Sequence, residues 1–155
     1  MAGQTEVYGK PFPLVLKPRN GQKVNYVQLQ EYFIQKNAEI VRAASEYGAV
    51  MFQGFEIVNG EEFASILYKS GLKEVQYIGG AAVRKLIVGS ENRKLENLQI
   101  VTTNESPPSE PIPFHHELAQ TPFPPSHICF YCQIPSETGG STPLLRSDLV
   151  YDHIA

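Results

Sequence analysis

The chain has 155 residues, is 42% hydrophobic and 19% charged, and carries a net charge of −3. That composition suits one globular domain with its own core and excludes a disordered chain. No basic run points to nucleic acid or an anionic membrane, the longest apolar runs (residues 48–52, for example) are far too short to span a bilayer, and the polar residues 1–10 lack the apolar core of a secretory signal.

Residues 1–24 hold Pro11, Pro13, Pro18 and Gly21 and read as irregular. A helix is predicted over residues 26–47. Leu29, Phe33, Ile40, Val41 and Ala44 recur at near-helical spacing, Asn25 and Gln28 form a capping pair, and Gly48 stops it. Residues 49–55 read as a short buried strand. A second helix follows over residues 60–70, with Asn59 and Glu62 as its capping pair, Phe63, Ile66 and Leu67 as its apolar face and Gly71 as terminator.

Beyond this the pattern becomes strand-like. Candidate strands are residues 85–88, 99–103, 114–119, 128–134 and 142–145, separated by proline- or glycine-rich turns at 106–108, 122–125 and 136–140. The expected fold class is α+β, a sandwich or jelly-roll sheet behind N-terminal helices. Ser147, Val150 and Tyr151 look like the opening of a further helix, and the sequence reaches Ala155 about two turns in. A single truncated domain over 1–155 is therefore expected. Residues 1–24 would be its irregular N-terminus, 25–84 a helix-rich cap portion and 85–155 the first part of the sheet core.

Cys129 and Cys132 have C-x-x-C spacing, but a zinc site needs about four ligands and no second pair exists. On a strand, residues three apart face opposite ways. Two inert cysteines in a reducing compartment, with the cytoplasm as the default, are the plainer reading; metal or redox work is the sharper one.

The segment Pro113-Phe114-His115-His116-Glu117-Leu118-Ala119 carries the candidate chemistry. On an extended segment, His115 and Glu117 at i and i+2 project to one side and can grip one ion. Two histidines and a carboxylate form a facial triad that leaves open positions for cosubstrate and dioxygen. An H-x-E triplet alone is common, so the bland reading is a chance spacing. His116 points to the other face and reads as a packing or supporting residue. His127 and His153 read as exposed or locally hydrogen-bonded.

Phe-His-His-Glu-Leu-Ala-Gln-Thr-Pro, followed by Ile-Cys-Phe-Tyr-Cys-Gln-Ile-Pro-Ser-Glu-Thr-Gly-Gly-Ser-Thr-Pro-Leu, resembles the taurine dioxygenase family. It is most similar to the clavaminate synthase-like branch, which uses H-x-E where many relatives use H-x-D. Residues 48–55, 77–82 and 104–108 add to the likeness, which runs from about residue 10 to the C-terminus. The resemblance implies a double-stranded β-helix, the jelly roll of that branch, here incomplete. It implies an Fe(II)/2-oxoglutarate-dependent dioxygenase acting on a small organic molecule with dioxygen, with neither nucleic acid nor membrane as partner. His115 and Glu117 match the first two iron ligands. Thr142, in the Gly139-Gly140-Ser141-Thr142 turn, matches the hydroxyl that meets the 2-oxoglutarate carboxylate, a charge-assisted hydrogen bond. Gly139 and Gly140 also read simply as turn glycines.

Asn104 and Arg84 are candidates to line the pocket; Asn104 reads equally as a turn former and Arg84 as a solvated charge. The family's later histidine ligand and 2-oxoglutarate-clamping arginine have no counterpart after Thr142, and Arg146 is too near the glycine turn to be that arginine. Two alternatives stay open: an inactive short form or pseudoenzyme that binds metal or partners, and a cupin-like binding module without redox work.

Overall fold

A computed structural model describes residues 4–75, 84–88, 99–103 and 110–155. Its architecture is α+β. β1 (Thr5–Val7), β2 (Lys10–Phe12) and β3 (Leu14–Leu16) precede a single 3-10 turn, Arg19–Gly21. α1 (Tyr26–Tyr47), β4 (Val50–Phe52), α2 (Gly60–Lys69), β5 (Leu86–Val88), β6 (Ile100–Val101) and α3 (Ser147–Ile154) follow. Three two-stranded sheets form: β1–β2 and β5–β6 antiparallel, β3–β4 parallel. Among the described residues no helix is long and apolar enough to cross a membrane.

Both long helices start where the sequence predicts. Asn25 accepts from the Gln28 backbone N–H while the Gln28 side chain accepts from the Asn25 N–H, a reciprocal capping box. At α2, Asn59 caps the Glu62 N–H, but the Glu62 carboxylate accepts from Val58 instead of Asn59. Gly48, at φ +77°, turns the chain out of α1. α1 is then the crossover that parallel strands require, setting Leu14 beside Val50 and Leu16 beside Phe52.

The core lies where α1 meets α2. Leu29, Ala64 and Ile66 are almost fully buried there. Gln30 is buried beside them and keeps both ends of its amide satisfied: it donates to Ser65 Oγ (2.8 Å) and accepts from Lys69 Nζ (3.1 Å). An unpaired amide at that depth would be costly. Phe52 packs on Phe33 at 4.8 Å between ring centroids and on Phe55 at 5.8 Å, so β4 is fastened to α1 by aromatic contact.

The N-terminal residues are not irregular as expected, because β1, β2 and β3 lie there. Each is three residues long, too short for alternation to show. Pro11 sits within β2, where a two-stranded ladder leaves an outer edge that needs no N–H. Tyr8 and Gly9, both at positive φ, form the two-residue turn between β1 and β2.

Of the predicted C-terminal strands, 85–88 and 99–103 survive in part as β5 and β6. Residues 114–119, 128–134 and 142–145 are not strands. A strand exists only in a ladder, and these segments find no ladder partner among the described residues. Segment 114–119 also turns on itself: Ala119 N–H donates to His116 O and Thr121 N–H to Leu118 O.

α3 forms as expected but has no buried residue. Polar contacts hold it instead. Tyr8 O–H donates to Asp152, and Arg146 makes a two-pronged pair with Asp148. Lys10 pairs with Glu46 nearby at 2.6 Å. The Arg146 hydrogen bond holds the Asp148 carboxyl below its ordinary 3.8. The Asp152 hydrogen bond raises the Tyr8 phenol above its ordinary 10.0. A depressed acid stabilises the fold above its ordinary pKa and loses that effect as pH falls through the lowered value; a raised phenol stabilises below its ordinary pKa and loses it as pH rises through the raised value. By NMR the Tyr8 ring signal should therefore titrate above the ordinary 10.0 and the Asp148 carboxyl signal below the ordinary 3.8. Ordinary titration of both groups contradicts the polar clamp.

Candidate functional site

The segment before Glu117 belongs to no helix or strand, and a turn follows it. Leu118 has φ +54°, a conformation that costs an L-residue roughly 1–2 kcal/mol. Its side chain is nevertheless buried, so packing holds the bend. Strain of this kind gathers at functional sites.

His115 and Glu117 stand on one side of the segment. His115 Nδ1–H donates to Pro113 O at 2.8 Å, because a carbonyl can only accept. Nε2 is thus left as the nitrogen with a lone pair in the neutral ring. It lies 3.7 Å from Glu117 Oε2. Two ligand atoms held at about 2.1 Å from one ion and roughly at right angles stand about 3 Å apart, so this pair is close to a facial spacing and about 0.7 Å wider than it. The imidazole is largely exposed and the carboxylate mostly covered, 56% against 21%.

The other carboxylate oxygen is occupied. Arg84 Nη2 donates to Glu117 Oε1 at 3.0 Å, and Arg84 Nη1 donates to Thr102 O at 3.2 Å. Thr102 N–H in turn donates to Lys85 O, and Lys85 N–H to Thr102 Oγ1. The β5–β6 pair therefore aims the guanidinium, which leaves Oε2 facing the histidine. Arg84 reads from this geometry as a partner of the candidate ligand. A carboxylate braced by an outer hydrogen bond is the usual state of a metal ligand.

His116 points elsewhere, as its i+1 position requires, and hydrogen-bonds Ser147 Oγ at 3.2 Å. Thr142 is exposed on the segment between the glycine turn and α3. Gly139 and Gly140 both have φ +67°, and a Cβ on Gly140 would lie 2.7 Å from Ser136 Cβ, so glycine is needed there on steric grounds. Asn104 lies outside the described residues, as do residues 77–82. His127 is exposed, and His153 bonds Leu149 O inside α3. Cys129 and Cys132 are free thiols on exposed residues. Among the described residues no group of three metal-ligating side chains forms.

Sequence reasoning missed Leu118 and Ser147. Leucine gives no hint of a positive φ, and a serine thirty-one positions away in sequence gives no hint of meeting His116.

Residues 11–155 match the taurine catabolism dioxygenase TauD, TfdA family. The chain belongs to that family. A clavaminate synthase-like protein of Arabidopsis thaliana is 33% identical over 159 aligned positions, covering 97% of this chain and 44% of the relative. The chain thus spans less than half the length of that relative. His115, Glu117 and Thr142 all fall within the matched residues.

The Arg84–Glu117 pair should be measurable alone. Its side chains are 15% and 21% exposed, between the surface and buried regimes. A double-mutant cycle of Arg84→Met and Glu117→Gln should return a coupling of about 1 kcal/mol by denaturant unfolding. Zero coupling would mean that Arg84 does not brace the carboxylate.

Proposed function

We propose that this chain is part of an Fe(II)/2-oxoglutarate-dependent dioxygenase, that His115 Nε2 and Glu117 Oε2 are two of its iron ligands, and that Thr142 contributes a hydroxyl to 2-oxoglutarate. Membership in the TauD family supports the reaction class. The observation that carries the ligand assignment is local: a histidine lone pair and a carboxylate oxygen 3.7 Å apart, with the opposite atom of each group already bonded, to Pro113 and to Arg84. The double-stranded β-helix belongs to the same proposal, as does a cytoplasmic setting, which suits two free cysteines.

When bound, iron and 2-oxoglutarate supply the oxidative chemistry, decarboxylation of the oxo acid coupled to oxidation of a small organic substrate by dioxygen. The residues of this chain have simpler tasks. Pro113 O fixes the His115 tautomer and ring direction. Arg84 orients Glu117. Leu118 and its turn close the segment so that both side chains face one way.

A second reading is a non-catalytic module that binds metal or a partner. Phe123 and Ile134 are each 83% exposed, and Phe114 and Phe130 each 60%, an amount of bare apolar surface that marks interaction sites. Anaerobic titration with Fe(II), then 2-oxoglutarate, then oxygen separates the two. The oxygenase reading expects metal binding and a visible charge-transfer band on adding 2-oxoglutarate, with little succinate from these 155 residues alone on adding oxygen. His115→Ala and Glu117→Gln should each weaken metal binding at least about 10-fold. Metal binding without the charge-transfer band selects the module, and unaltered affinity in both variants removes the ligand assignment.

A further inference from the structure

We propose that Arg146 is a positioning residue for the His115–Glu117 segment: it fixes the start of α3 to the end of α1, and Ser147 passes that placement to His116. The inference rests on reading His115 and Glu117 as metal ligands and adds to it a determinant more than twenty-five residues further along the chain.

The side chain of Arg146 is only 12% exposed, although α3 itself buries no residue. The location of α3 therefore depends on this arginine and on Tyr8 far more than on apolar packing. Each part of the side chain has a contact. Nη1 donates to Glu46 O at 3.3 Å, near the carbonyl end of α1, where a cation is favoured by the helix dipole. Nε and Nη2 donate to Asp148 at 3.0 and 2.5 Å and so lock the first turn of α3. The guanidinium lies over the Tyr8 ring at 5.6 Å, and Tyr8 O–H reaches Asp152 one turn further along α3. The stem crosses the α1 terminator: a Cβ on Gly48 would lie 3.1 Å from both Cγ and Cδ of Arg146. The β1–β2 turn, the end of α1 and the start of α3 thus meet at one side chain.

The next residue carries the link onward. Ser147 Oγ bonds His116 Nε2 at 3.2 Å, and His116 stands between the two candidate ligands. A strained turn follows at once at Leu118. A displacement of Ser147 therefore displaces the backbone that sets the His115–Glu117 gap. Supporting contacts of this kind typically change metal affinity by about 10- to 100-fold.

The test uses the whole chain in two states. In the metal-free protein, amide shifts of residues 114–118 are compared among wild type, Arg146→Ala, Ser147→Ala and Ser147→Thr. Both alanine variants should move them, the threonine variant, which keeps the hydroxyl, should not, and α2 amides should be unchanged in all three. With Co(II) followed by visible absorption, both alanine variants should bind about 10-fold more weakly, and Ser147→Thr should match wild type. Shifts confined to α3, with 114–118 unmoved in both alanine variants, would overturn the proposal. If Arg146→Ala perturbs α2 and so unfolds generally, Ser147→Ala decides. If wild-type protein binds no Co(II), the oxygenase reading fails, while the metal-free shifts still decide whether Arg146 and Ser147 place the segment.

Discussion

The carboxylate of Glu117 faces two ways, and most of the site follows from that. One oxygen accepts from Arg84 and the other lies toward His115. A carboxylate left to itself near apolar surface would rotate freely or seek water. Bracing one oxygen costs little, because the guanidinium is already held by Thr102, and it directs the remaining oxygen. The histidine is fixed by the same device, a carbonyl on the ring nitrogen that would not bind metal. Two side chains are thus oriented by their outer contacts before any ligand arrives, which is how a preformed site lowers the entropy cost of binding.

These contacts come from distant parts of the chain, so the helical N-terminal portion is more than a cap. α1 and α2 supply the core, and β5 follows α2 to deliver Arg84 from one side. From the other side, the end of α1 holds Arg146, which carries α3 and Ser147 to His116. Between these supports the segment 110–134 is poorly covered, and large apolar side chains lie open along it. Leu118 is buried, and Tyr131 is partly covered: its ring stacks on Phe63 at 5.4 Å and its hydroxyl donates to Ile57 O, which ties the exposed stretch back to α2.

What the sequence made legible follows from the range of the forces involved. α1 was readable because twenty-two residues of amphipathic spacing and a capping pair are local signals, and the structure keeps both ends. α2 was readable for the same reasons, though Glu62 chose Val58. The three N-terminal strands were not, since three residues carry no period and Pro11 reads as a breaker. The strands expected at 114–119, 128–134 and 142–145 failed on the opposite ground: their composition suits a strand, but pairing is non-local. At the site, the i and i+2 spacing of His115 and Glu117 was local and visible. Arg84 entered only as a pocket candidate, because its bond to Glu117 spans thirty-three positions. Ser147 and the bend at Leu118 had no local signature at all.

The central claim is that His115 and Glu117 together hold one metal ion, and paramagnetic broadening tests it most directly. Sub-stoichiometric Mn(II) added to the chain should first broaden the ring signals of His115 and the side-chain signals of Glu117, with those of His127 and His153 untouched. Broadening that spares His115 and Glu117, or that spreads evenly over all four histidines, would contradict the account.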